Sequence, residues 1–146
     1  MMTQIHGQSV FRGTQLPLFF AFGALLLGLV FYLLLRPEES TPLLRLLPLI
    51  PNVPQANTLA HTLNWLPSFI HVFSFSLITW FILGRRYALL STSIWCAINL
   101  FFEFIQYIPE SLKIFSDYYS GTFDIADVLA CLSGAIAAWA VTELKQ

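Results

Sequence analysis

Charge is what this chain has least of. Only 10% of its 146 residues are Asp, Glu, Lys or Arg, and the formal net charge is -1. The few Lys and Arg are scattered, so the chain has no basic face for nucleic acid and no polybasic lipid anchor. Cysteine is nearly as scarce. Cys96 and Cys131 both fall inside apolar runs, where the ordinary role is that of a small buried hydrophobe and not of a disulfide. The sequence has no Gly-rich phosphate loop, no H-E-x-x-H or comparable metal motif, no internal repeat and no low-complexity tract. It therefore implies no cofactor and no metal centre. What it does have is apolar surface: 57% of residues are hydrophobic and the mean hydropathy is +0.71, far from the balance of soluble domains. The solvent for such a chain is a bilayer.

Spanning the hydrocarbon core takes about 20 apolar residues in a helix. Four runs meet that length: Pro17 to Leu35, Leu66 to Gly84, Tyr87 to Ile108 and Thr122 to Val141. The first is longer than a signal-peptide core and no small-residue cleavage pattern follows it, so it reads as a retained span. Runs this long are unlike the short alternating segments of a β-barrel, and the expected fold is all-α, a single domain over residues 1–146 with four transmembrane helices in one bundle. Pro37, Pro42, Pro48, Pro51 and Pro54 forbid a continuous helix between the first two spans, and the apolar LLRLLPLI among them is too short to cross. Lys and Arg density favours both termini on the cytoplasmic side, because the hairpin joining spans two and three is little more than Arg85 and Arg86.

Polar residues inside the spans then stand out. Counted from the outer boundaries, His71, Glu103 and Asp127 each lie five residues in, which is about 7 to 8 Å at 1.5 Å per residue. Gln106 and Asp124 are shallower. Residues three and four apart share a helix face. On that count Cys96, Asn99, Glu103, Gln106 and Tyr107 form one stripe, and Ser68, His71 and Ser74 another. Asp124 and Asp127 lie above Ala130, Gly134 and Ala138, a small-residue stripe suited to close helix packing. The stripe should turn Asp127 into the bundle.

Each residue also has a plainer role. Asp124 can snorkel to the headgroups, cap its helix or face the positive end of the helix dipole. His71 can simply pack, and Asn99 and Gln106 can make interhelical hydrogen bonds. Ser74 or Ser76 activated by His71 would be needed for nucleophilic hydrolysis, but serines in spans usually bond to backbone, so an enzyme is not the expectation. Burying Glu103 or Asp127 as an unpaired charge is harder to explain away, since it costs about 2.5 to 3.5 kcal/mol even on insertion scales.

The order H-V-F-S-F, then E-F-I-Q, then T-F-D-I-A-D-V-L-A-C-L-S-G resembles the VanZ-like family of small bacterial membrane proteins over roughly Ser68 to Ala138. The resemblance places the family's signature on His71, Glu103, Gln106, Asp124, Asp127 and Gly134. It implies a cell-envelope function at the outer face of a bacterial inner membrane, with a family link to glycopeptide antibiotic resistance. This chain departs from the pattern at Ser68, where the family often has Lys, at Gly121 and Thr122, where Arg is usual, and at Cys131, where Asn is usual. Losing the Lys and the Arg removes cations that would pair with acids or hold an anionic ligand. The expected partners are membrane lipids and an envelope amphiphile, with Trp65, Tyr107, Tyr118 and Tyr119 as amphipathic rings at the rim. The rival expectations are a scaffold or accessory subunit that binds a protein partner, and a proton-coupled transporter, for which four spans without a repeat are poor material.

Overall fold

A computed structural model describes residues 15–35, 61–107 and 123–143. They form four long helices: α1 (Gln15–Leu35), α2 (Leu66–Leu83), α3 (Ala88–Tyr107) and α4 (Ile125–Glu143). Each is long and apolar enough to cross a membrane, and no strand occurs among the described residues. The chain is an all-helical, multi-pass membrane protein. The proline-rich segment, Tyr118 and Tyr119 lie outside the described residues.

The helix ends follow local chemistry. Pro67 sits in the first turn of α2, where its missing N–H costs nothing. Gly84 closes the same helix at φ +90°, its N–H donating to the Trp80 carbonyl at 2.8 Å, in a region of backbone space that favours glycine. A single 3-10 turn, Arg85–Tyr87, then starts α3, and the Arg86 guanidinium lies 4.9 Å from the centre of the Tyr87 ring. The sequence boundaries shift at α4, which begins at Ile125 and not at Thr122. Asp124 is the cause, because its side chain and carbonyl take up the first free N–H groups of the helix.

Helix α2 packs against each of the other three. One core joins α1, α2 and α4 through Ala21, Phe73, Leu77, Trp80 and Ala138, and a second joins α2, α3 and α4 through Val72, Cys96 and Cys131. Lipid tails are as apolar as leucine, so such contacts depend on close van der Waals fit and small residues. Gly134 provides the closest approach: a Cβ at this position would stand 2.7 Å from the Phe69 carbonyl oxygen of α2. The opposite faces show Phe19, Phe22, Leu26, Phe101 and Ile136 to the surroundings, as lipid-facing helices should.

Polar rungs tie α2 to α3. Ser91 Oγ donates to the Ser76 carbonyl at 2.9 Å, and Trp95 Nε1 donates to Thr79 Oγ1 at 2.8 Å. Asn99, for which an interhelical bond is one plain role, donates to the Trp95 carbonyl of its own helix at 2.9 Å. The carbonyl four residues back is always within reach of a helical side chain, and it satisfies the amide without a neighbour.

Candidate functional site

The first turns of α2 and α4 and the last turns of α3 meet at one end of the bundle. Ser68, third in α2, donates from Oγ to Asp127 Oδ1, third in α4, at 3.0 Å. The bond pins the two helix starts together beside the Gly134 contact. Asp127 is only 8% exposed and therefore points inward, as its small-residue stripe predicts. It sits two residues in from the helix start and not five, because α4 starts later than its apolar run. Cys131, one turn deeper, is fully buried, and the Cys96 sulfur lies 3.9 Å from its carbonyl. Both cysteines are free thiols.

Asp124 belongs to the scaffold of this end. Its Oδ1 accepts from the Ala126 N–H at 2.9 Å, and its carbonyl accepts from the N–H groups of Asp127 at 3.1 Å and Val128 at 3.4 Å. This is an N-cap, and it lies outside the helix and not within a span. Asp124→Ala should cost about 1 kcal/mol of stability, and Asp124→Asn should cost much less, since an amide oxygen accepts equally well. Unfolding of the two variants in mixed micelles checks the order.

Among the described residues, four buried polar side chains have an atom without a hydrogen-bond partner, and Glu103 is the acid among them, the others being Ser74, Ser76 and Trp80. Glu103 is 8% exposed, and its Oε2 is buried without a hydrogen-bond partner. Asp127 and Asp124 are both within electrostatic reach of its carboxyl. Three acids thus converge, and the described arginines, Arg85 and Arg86, are at the opposite end of α3. Phe104 stacks on Phe123 at 6.3 Å beside them, closing the gap between the end of α3 and the start of α4.

The other candidates have different surroundings. His71 stacks on Phe75 at 5.9 Å, and Phe75 stacks on Trp95 at 4.9 Å, a column between α2 and α3. The acids lie together, whereas His71 is held by rings. Ser74 is fully buried, and its hydroxyl has no hydrogen-bond partner, so His71 does not contact it as a base would. Gln106 is half-buried in the last turns of α3, Tyr107 ends that helix, and Trp65 is exposed at the start of α2. Ala130, Gly134 and Ala138 are all buried. Among the described residues, no three of His, Cys, Asp and Glu are arranged to hold a metal ion. The residue that sequence reasoning undervalued is Ser68, placed on the His71 stripe and noted as a missing lysine but not counted among the site residues. Its position, third from a helix start like Asp127, was the available signal.

Such an arrangement can accept hydrogen bonds from a donor that approaches from the membrane or its surface. Compared with known proteins, the chain matches no family model, no curated protein and no solved structure.

Proposed function

We propose that the chain is a VanZ-like protein of a bacterial inner membrane, with both termini cytoplasmic, that binds the polar head of a cell-envelope amphiphile in the outer leaflet. One observation carries this reading. Glu103 Oε2 is buried and unpartnered near the end of α3, within electrostatic reach of Asp127. A carboxyl that only held the bundle together would be expected to have a partner inside the bundle, because a buried polar group without one is destabilising. Ser68 and Asp127 supply further polar atoms, and Trp65 a ring at the rim. The scaffold alternative loses support from the small-residue stripe, which is occupied by α2 within the same chain.

The resemblance to the VanZ-like family makes resistance to teicoplanin-type glycopeptides the phenotype to test. Glu103→Gln should remove that phenotype in cells expressing the chain, with an unchanged amount of protein in the membrane. Protein and phenotype lost in equal measure would refute the binding role.

A further inference from the structure

Antiparallel register brings two thiols face to face inside the bundle. The Phe104 and Phe123 rings stack at one end of the α3–α4 pair, and eight residues back in α3 and eight residues on in α4 come Cys96 and Cys131. The Cys96 sulfur lies 3.9 Å from the Cys131 carbonyl oxygen, and both side chains pack with Val72 in one core cluster. The two thiols are within electrostatic reach of each other. Both are free, and they are the only cysteines in the chain.

Access distinguishes the two sulfurs. Cys131 is fully buried, whereas Cys96 lines an open groove of about 360 Å³ between α3 and α4, together with Leu89, Leu100, Ala135, Ile136 and Trp139. Leu89, Ile136 and Trp139 are exposed, so a reagent that reaches Cys96 by this route crosses apolar surface. A charged reagent would lose its hydration there without a partner. Closing the pair also releases two electrons and two protons, which one uncharged acceptor has to take up and still leave uncharged. A quinone does this, because its two carbonyl oxygens become the two hydroxyls of a hydroquinone. We infer that Cys96 and Cys131 are a redox-active thiol pair, which a membrane-dissolved quinone oxidises to an α3–α4 disulfide. The two S–H bonds break and one S–S bond forms, while the electron pair and both protons pass to the quinone oxygens. Cys96 meets the oxidant, and Cys131 is the resolving thiol. The bond fixes α3 against α4 one turn from Asp127 and two turns from Glu103.

Anaerobic incubation of the purified full chain with decylubiquinone in nonionic detergent tests the pair. The ring of this quinone is fully substituted, so no stable thiol adduct forms on it. Hydroquinone is followed by absorbance, and remaining thiols by maleimide labelling of the unfolded protein and intact mass. The parent should lose both thiols, form an equal amount of hydroquinone per disulfide, run as a single chain on a non-reducing gel and regain both thiols with dithiothreitol. Cys96→Ala and Cys131→Ala should each lose hydroquinone formation and keep the remaining thiol free. Ala97 lines the groove and is exposed, so Ala97→Phe fills it without entering the core and should slow oxidation by the quinone. Parent thiols that stay free under excess quinone would overturn the inference, and that result needs no variant to fold. So would a disulfide that joins two chains, or one that forms only when air is admitted. An Ala97→Phe protein that reacts as fast as the parent would overturn the quinone's approach through the groove.

Discussion

Gly134→Ala should destabilise the bundle by about 1 to 3 kcal/mol, the usual cost of overpacking a close contact, and Gly134→Leu should prevent stable assembly. The clash is with the Phe69 carbonyl oxygen, 2.7 Å from an added Cβ. Backbone cannot rotate away as a side-chain tip can, so α2 and α4 must separate. Separation would also stretch the Ser68 to Asp127 bond and open the second core at Val72 and Cys131. Gly23 of α1 is the internal control, because an added Cβ there meets nothing within 4 Å. Gly23→Ala should raise stability by up to about 1 kcal/mol through helix propensity alone. Denaturant titration in mixed micelles should thus move the same chemical change in opposite directions at the two sites. Two changes of the same sign would show that α2 and α4 do not meet at Gly134.

Replacing Glu103 by leucine should stabilise the protein. The buried Oε2 has no partner, and leaving such a group unsatisfied costs about 1 to 3 kcal/mol, which an apolar side chain of similar size recovers. Asp127→Leu should act the other way, because it breaks the bond that joins α2 to α4 and leaves the half-buried Ser68 hydroxyl without that acceptor. The two acids lie at the same end of the bundle and are equally buried, yet the sign of the effect should differ. Unfolding of both variants under one set of conditions measures it. A stabilised Glu103→Leu protein that also loses amphiphile retention would identify Glu103 as a group kept for binding at the expense of stability. A Glu103→Leu protein as unstable as Asp127→Leu would place Glu103 in the structural framework, and the proposed site would fall with it.

These effects separate what could be read from the chain and what could not. The four spans were legible because length and hydropathy alone decide whether a helix can cross a membrane, and every backbone polar group there must be bonded within its own helix. The inward turn of Asp127 was legible too, since the spacing of Ala130, Gly134 and Ala138 marks the packed face of α4 whatever it packs against. Periodicity, however, gives a face and not a neighbour. That Ser68 bonds to Asp127, that Asn99 bonds to its own helix, that Asp124 is a cap outside α4 and that His71 lies in a ring column all depend on the relative rotation and depth of the helices. Shifting a helix by two or three residues moves a short side chain out of hydrogen-bond range, while the apolar pattern hardly changes. The sequence by itself therefore determined a four-helix membrane protein with acids gathered at one end. Only the tertiary structure decided which acid is bonded and which, Glu103, is left with a free oxygen, because that depends on atomic distances between helices that no pattern along one helix contains.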